Sequence, residues 1–228
     1  MSLNCRKLIH SAAAWFFTFF VIALPCSMAG QTVKPIQSHE VHSDGTITFR
    51  YLDTGAKSVE VSVGGLKAAV TMTNTGGIWT ATTPQLPPEI YWYYFIVDGQ
   101  PQMDPLNGVV LPNYVYLNNV VVVPGTAPQL WEVTDVPHGE LHHHFYKSAA
   151  AEDEREYYVY TPPGYDPSAK TTYPVLYLLH GYSDDASGWT AVGRANIILD
   201  NLIAQGKAKL MIVVMPLGYG TMEIITLG

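Results

Sequence analysis

Residues 46–123 alternate apolar and polar side chains in short runs that end in turn-forming residues. Val59, Val61 and Val63 alternate with polar neighbours, and Gly64-Gly65 follows them. Strands of this length with no helical period are typical of an antiparallel β-sandwich. We therefore predict a β-sandwich over residues 30–125. Its other strands are predicted at 46–52, 68–73, 78–82, 90–97 and 115–123.

The pattern changes after residues 124–128, Pro-Gly-Thr-Ala-Pro, a composition typical of a domain linker. Residues 155–161 predict a strand. The continuous apolar run 174–179 predicts a strand buried on both faces of a sheet. A helix over 194–205 and a second buried strand over 210–215 follow. This order predicts a βαβ unit, and hence a parallel sheet that is covered by helices.

The predicted helix has an apolar stripe, and Gly206 follows it where a helix C-terminus is expected. The stripe consists of Ile197, Ile198, Leu202 and Ile203. A parallel sheet needs helices on both faces, and residues 126–228 supply only one clear helix. We therefore expect the second domain to be incomplete.

The loop that begins at His180-Gly181 directly follows the first of these apolar strands. Ligand sites of open α/β sheets form at the carboxyl ends of strands, so the loop is well placed for function. A His-Gly turn here resembles the oxyanion-hole loop of α/β-hydrolases, in which a backbone N–H helps to hold the tetrahedral oxyanion. Gly181 would let the backbone approach the ligand, Tyr182 would present the N–H, and His180 would order the loop. An ordinary glycine-containing turn is the alternative.

Most of residues 131–228 resembles the putative-esterase family, which includes feruloyl and acetylxylan esterases, enterochelin esterases and antigen 85-like mycolyltransferases. The segments that carry this resemblance are 157–165, 173–181, 189–203 and 212–216. Residues 91–99, followed by Asp104-Pro105, are similar to an early-set immunoglobulin-type module. The implied fold class is an N-terminal all-β immunoglobulin-like sandwich, residues 30–125. An incomplete α/β-hydrolase domain with a three-layer, mostly parallel sheet follows, residues 126–228.

The sequence departs from this family at the nucleophile. Members use a serine in G-x-S-x-G, then an acid and a histidine, and no G-x-S-x-G occurs in the sequence. Gly181-Tyr182-Ser183-Asp184-Asp185 lacks the second glycine and occupies the oxyanion loop, which counts against Ser183 as the nucleophile. We therefore expect no catalytic side chain in this sequence, and an inactive N-terminal fragment of a serine esterase.

The resemblance implies an ester as the substrate, with a plant polysaccharide as one carrier, and no cofactor. The formal net charge of −7 at pH 7 argues against nucleic acid or an anionic membrane as a partner. The alternative from a different functional class is a non-catalytic module that binds carbohydrate or a protein partner.

A cluster of histidines, His138 and residues 142–144, raises the question of a metal site. If residues 141–148 form a strand, His142 and His144 share one face and His143 points to the other. Because no HxxxH or CxxC spacing accompanies them, we expect solvated or hydrogen-bonded histidines and no metal.

The aromatic run 91–95 also has both a structural and a functional interpretation. On a strand, Trp92 and Tyr94 share one face, and Tyr91, Tyr93 and Phe95 share the other. At least one set belongs to the core, with interdomain packing expected for the rest and a sugar-stacking platform as the alternative.

The first 29 residues indicate an export signal. Arg6 and Lys7 precede an apolar run over 12–24, and Ala29 ends a stretch typical of a cleavage site. A retained membrane anchor is the alternative, although the run is short for a span. Both cysteines, Cys5 and Cys26, lie in this segment, so we expect an exported chain without disulfides and without stable membrane association after cleavage.

Overall fold

The alternating residues of the first half of the chain build two antiparallel sheets. The computed structural model describes residues 36–221 and residue 223. The strands of this half are β1 (His39–Val41), β2 (Ile47–Leu52), β3 (Val59–Val63), β4 (Val70–Thr71), β5 (Thr73–Thr75), β6 (Ile78–Thr82), β7 (Glu89–Val97), β8 (Gln100–Gln102) and β9 (Asn119–Val123). One sheet has the order β1-β2-β6-β5. The other has the order β4-β3-β7-β8, with β9 also paired to β7.

One apolar core lies between these two sheets. Val59, Val61 and Val63 of β3 are all buried, as their alternation predicts. From β7, Tyr93 and Phe95 are fully buried, whereas Trp92 is exposed on the opposite face. The period-2 pattern therefore placed the core correctly, and the antiparallel strands predicted for this half are confirmed. The immunoglobulin-like assignment stays a prediction.

A buried polar network anchors the long segment between β8 and β9. The Tyr93 hydroxyl donates to Asp104 Oδ2 at 2.6 Å, and the Asp104 N–H donates to Asn119 Oδ1 at 2.7 Å. Asn107 Nδ2 donates both to the Tyr93 hydroxyl and to the carbonyl of Val120, each at 2.9 Å. Satisfied polar groups of this kind fix a single arrangement, because an unpaired one would be costly to bury.

The second half of the chain forms one further sheet and two short helices. Its elements are β10 (Glu140–Lys147), β11 (Glu154–Thr161), β12 (Val175–Tyr177), α1 (Gly188–Ala191), α2 (Ala195–Ala204) and β13 (Ile212–Pro216). The strand order is β10-β11-β13-β12. β10 pairs antiparallel with β11, β11 pairs antiparallel with β13, and only β12 and β13 pair in parallel.

The expected incomplete α/β-hydrolase domain with a three-layer, mostly parallel sheet is therefore wrong. The βαβ connection through α2 exists, and it yields the one parallel pair. The other strands are antiparallel, because β10 and β11 form a hairpin and β11 runs against β13. Apolar content indicates burial but does not reveal strand direction, and most of the regular elements among the described residues are strands, with only two helices of four and ten residues.

The interpretation of residues 174–179 as a strand buried on both faces is also wrong. β12 has three residues, and Val175, Leu176 and Tyr177 are all exposed. β12 lies at the edge of its sheet with β13 as its neighbour. Among the described residues, nothing covers its faces enough to bury these side chains.

Helix α2 buries polar residues where its sequence predicts an apolar stripe. Asp200 and Asn201 are 1% and 3% exposed, whereas the four residues of the stripe are only half-buried. Asp200 accepts from the Tyr160 hydroxyl at 2.7 Å and from the Gly139 N–H at 2.9 Å. Asn201 Nδ2 donates to the carbonyls of Leu130 and Glu132. This side of α2 thus fastens the segment that joins the two halves of the chain.

The described residues from Ile36 onward form one compact unit, so the boundary predicted at residue 125 stays a prediction. The predicted signal, residues 1–29, lies outside the described residues. Within 36–221 and 223, no helix is long and apolar enough to cross a membrane.

Candidate functional site

The parallel pair β12 and β13 brings two loops together at the carboxyl ends of the strands. Past the end of β12, the Leu178 N–H still donates to the carbonyl of Val214 at 2.9 Å. The chain then enters the loop 180–185, and β13 leads into the segment 217–220. Because parallel strands end on the same edge of a sheet, the two loops meet there.

His180 joins these two loops through both of its ring nitrogens. Nε2 accepts from the N–H of Gly218 at 2.9 Å, so this nitrogen carries no proton. Nδ1 lies 2.8 Å from the carbonyl oxygen of Gly181 and therefore donates to it. The geometry is that of a neutral imidazole with both nitrogens occupied, which leaves neither available as a general base. The expectation that His180 orders the loop stays a prediction, with these contacts in its favour.

Tyr219 holds the loop from the same side. Its hydroxyl lies 2.9 Å from the carbonyl oxygen of Asp184 and 3.3 Å from that of Gly181. Burial raises the pKa of Tyr219, so the hydroxyl remains a donor at neutral pH. Arg155, 3% exposed on β11, donates from Nη1 to the carbonyl of Tyr219 at 2.5 Å and from Nη2 to that of Gly220 at 3.3 Å. A buried guanidinium thus fixes the backbone that carries Tyr219.

The first half of the chain contacts the loop through the segment between β8 and β9. Asn113 Nδ2 donates to Asp184 Oδ1 at 2.9 Å, and the Tyr114 N–H donates to the carbonyl of Ser183 at 2.8 Å. Asn113 and Asp184 also form an isolated antiparallel bridge. The loop is therefore held from both sides, by the end of β13 and by this segment.

The centre of the loop presents backbone and not reactive side chains. Tyr182 is 72% exposed, and within the described residues its N–H donates to no other group. A Cβ on Gly181 would lie 2.9 Å from Asp184 Oδ2, so a side chain at this position would displace the Asp184 carboxylate. Ser183 is fully buried at φ +63°, and its Oγ has no hydrogen-bond partner in the part of the chain that the structure describes. A hydroxyl without a base beside it is not an activated nucleophile.

Residues 148–222 match the profile of the Esterase family, described as "Putative esterase". This segment belongs to that family. It includes β11 to β13, both helices and the loop 180–185. The resemblance stated from the sequence is therefore confirmed for this part of the chain.

A relative of the chain is an endo-1,4-beta-xylanase/feruloyl esterase from Xylanibacter ruminicola, 33% identical over 184 residues. The match covers 78% of this chain and 25% of the relative.

Among solved structures, an enterobactin esterase from Shigella flexneri superposes with a TM-score of 0.54 and 18% identity, over 75% of this chain and 50% of that one. A ferric enterobactin esterase from Salmonella typhimurium superposes with a TM-score of 0.51 and 16% identity, over 78% of this chain and 55% of that one. The likenesses to the two solved structures are of fold. The chain spans a quarter of the length of the relative and about half of each solved structure.

A cleft of about 1010 Å³ opens beside the loop of the esterase segment. Tyr182 and Ser183 line one side of it, and Trp92 and Tyr94 of β7 line another. The segment between β8 and β9 completes the wall. The face of β7 that does not enter the core is therefore a cleft wall, which the alternation alone could not reveal.

The histidines take separate positions. His138 Nδ1 lies 2.9 Å from Asp200 Oδ2, and that hydrogen bond is the main cause that raises the pKa of His138 above its ordinary value.

On β10, His142 and His144 share a face, with ring centroids 6.3 Å apart. His143 stacks on Tyr158 at 4.0 Å, and its Nε2 lies 2.6 Å from Glu156 Oε2. Among the described residues, no three His, Cys, Asp or Glu side chains are arranged to hold a metal ion.

Sequence reasoning missed most of the residues that hold the loop. Asn113, Tyr114 and Tyr219 are distant from it in the chain, and none belongs to a recognisable motif. Arg155 lies on a predicted strand, but only the structure shows that it is buried and therefore needs partners.

Proposed function

We propose that this chain is the N-terminal part of a secreted serine carboxylic-ester hydrolase of the feruloyl or acetylxylan esterase type. In this proposal the Tyr182 N–H is one oxyanion donor, and Gly181 lets the substrate approach it. The observation that carries the proposal is the loop itself: the exposed residue Tyr182 has an N–H that donates to no other described group, on backbone that Tyr219, His180 and Asn113 hold in place. A donor fixed in advance stabilises developing negative charge without reorganisation.

The reaction proceeds by acyl transfer. A serine Oγ bonds to the ester carbonyl carbon while a histidine takes the serine proton, and the carbonyl oxygen becomes the oxyanion that Tyr182 holds. Collapse breaks the ester bond, and the alcohol leaves with the proton from the histidine. Water then cleaves the acyl-serine and releases the acid. No G-x-S-x-G occurs in the printed sequence, so this proposal assigns the nucleophile, acid and histidine to residues outside it.

The family supports an ester as the substrate. An ester carried on plant polysaccharide is supported by the xylanase/feruloyl esterase relative. The chemistry of a serine nucleophile with its base requires no cofactor. A net charge of −7 disfavours nucleic acid and anionic membranes as partners. Export is supported by Arg6 and Lys7 before the apolar run, and N-terminal sequencing of the exported protein tests it, with cleavage after Ala29 expected.

The first test reads the coding DNA beyond codon 228 in all three frames. The proposal requires a frame with G-x-S-x-G followed by an acid and a histidine. A stop codon without such a motif in any frame would overturn it.

The second test removes the Tyr182 N–H from the enzyme encoded by that frame. Tyr182→Pro deletes the donor, and we expect kcat on p-nitrophenyl acetate to fall by about 10²–10³-fold, the loss typical of one oxyanion donor. Tyr182→Ala keeps the N–H and is the matched control, with kcat largely retained. Equal kcat in the two variants would show that this N–H is not a donor.

A third test uses the 228-residue chain alone. A fluorophosphonate probe labels activated serines, and we expect none to be labelled here, because Ser183 Oγ has no base beside it. Labelling of Ser183, located by peptide mass spectrometry, would contradict the assignment of the nucleophile to another segment.

A further inference from the structure

We propose that the cleft beside the loop binds a neutral saccharide chain, which is the alcohol side of the ester. The proposal rests on the proposed function for the role of the saccharide, but the binding itself is measurable without hydrolysis. The cleft, about 1010 Å³, is at the upper end of the ~300–1,000 Å³ typical of small-molecule sites. It is lined by both halves of the chain.

Flat aromatic faces form the main wall. The rings of Trp92 and Tyr94 are nearly parallel, with an interplanar angle of 10° and centroids 6.1 Å apart. Trp92 is 41% exposed although it belongs to a central strand of its sheet. Tyr116 and Tyr182, also exposed, contribute to the same cleft. Aromatic side chains of this kind offer apolar area with a polar edge, which matches the apolar faces and hydroxyl rim of a sugar ring.

The indole of Trp92 is held in place before any ligand arrives. A Cβ on Gly64 would lie 2.9 Å from Trp92 Nε1 and 3.0 Å from Cε2, so the indole rests directly on the Gly64 backbone. Any other residue at position 64 would push the ring away. A side chain ordered in the free protein loses less entropy on binding, so the platform is pre-organised.

The polar groups of the cleft suit hydroxyls and not charges. The described lining contains no Asp, Glu, Lys, Arg or His. It offers the amides of Gln102 and Asn118 and the hydroxyls of the tyrosines that line it. A free carboxylate or phosphate would lose its hydration here without gaining a charged partner. A neutral, hydroxyl-rich ligand can pair with amides and hydroxyls instead.

The position of the cleft explains why a saccharide would bind there. Tyr182 and Ser183 belong both to the cleft and to the loop that carries the proposed oxyanion donor. A sugar chain that stacks on Trp92 would therefore bring an acylated hydroxyl next to the Tyr182 N–H. The first half of the chain would then serve to hold the polymer beside the reaction centre.

The experiment titrates the purified chain by calorimetry with xylohexaose, cellohexaose, free ferulate and methyl ferulate. We expect a saccharide to bind, and Trp92→Ala and Gly64→Ala each to weaken that binding by at least about tenfold, the loss of an aromatic anchor. Gly64→Ala keeps every lining side chain and moves only the indole. Tyr177→Ala removes an exposed tyrosine outside the cleft and should leave the affinity unchanged.

Three outcomes would overturn the inference: neither hexasaccharide binds, methyl ferulate binds in their place, or both cleft variants keep full affinity while circular dichroism shows native folding. None of these affects the proposed function, whose tests measure hydrolysis and the reading frame. Conversely, saccharide binding by a chain without a downstream G-x-S-x-G frame would leave the cleft assignment intact and remove the esterase.

Discussion

The hydroxyl of Tyr219 donates to the carbonyl oxygen of Asp184 over 2.9 Å and thereby joins the end of β13 to the loop that follows β12. The same hydroxyl is 3.3 Å from the Gly181 carbonyl, so one side chain spans both ends of the turn that contains Tyr182. The shape of the loop therefore depends on a residue that lies outside it.

We expect Tyr219→Phe to loosen this loop without unfolding the protein. One hydrogen bond of this type contributes about 1 kcal/mol, so global stability should fall only by that amount. Hydrogen–deuterium exchange of the loop 180–185 should become faster, while exchange in β3 and β7 stays as it was. Unchanged exchange in the loop would show that His180 and Asn113 suffice to hold it.

Arg155→Met should destabilise the protein much more than Arg50→Met. Arg155 is buried, pairs with Asp153 at 2.5 Å and donates to two carbonyls, so we expect a loss of about 2–4 kcal/mol in the free energy of unfolding. Arg50 pairs with Glu40 at 2.8 Å, but both side chains are partly exposed, and the loss should be small. Urea denaturation of both variants measures the difference, and similar losses would mean that the contacts of Arg155 are not structural.

His138 should make stability depend on pH. The hydrogen bond to Asp200 raises the pKa of His138 above its ordinary value of about 6.5. The stabilisation is therefore fully present below about pH 6.5 and is lost as the pH rises through the raised, folded-state pKa. The stability difference between the wild type and His138→Gln should shrink across this range in denaturation at pH 5.5 to 8.5. A difference that is constant with pH would show that the charge of His138 is not involved.

Ser183→Ala should leave stability nearly unchanged, within about 0.5 kcal/mol, because an unpaired buried hydroxyl contributes no hydrogen bond. Ser183→Thr, in contrast, adds a methyl group to a fully buried site at φ +63° and should cost about 1–3 kcal/mol. Thermal melts of the two variants provide the test. A large loss in the alanine variant would reveal a partner for the hydroxyl.

Local patterns in the sequence predicted local structure well. The alternation over Val59–Val63 gave a strand with the correct buried face, and the apolar period over 194–205 gave α2, Ala195–Ala204. In both cases the signal lies within one element, where side-chain direction follows from backbone geometry. The short strands β1 and β8 have too few residues to carry a period, and they were missed.

Pairing between elements could not be predicted in the same way. The direction of β11 relative to β13 is set by the hairpin with β10, and nothing in the apolar residues of β13 encodes it. The buried face of α2 was also misjudged, because Asp200 and Asn201 are buried through partners in the segment 130–139. At the candidate site, His180, Gly181 and Tyr182 were predicted from their position after a strand, and their roles stay a prediction. The contacts of Asn113 and Tyr219 with the loop became visible only in the tertiary structure.

The contacts that hold the loop 180–185 also determine when it can form during folding. Asn113 is 71 residues from Asp184, and Gly218 is 38 residues from His180, so the shape of the loop depends on residues that are distant in the sequence. Contacts between distant residues carry a closure cost and form slowly. We therefore expect the Tyr182 N–H to be set in place at a late step of folding, after β13 and the segment before β9 have docked. A chain halted earlier along that path would already have both sheets of its first half, but it would not yet have a site.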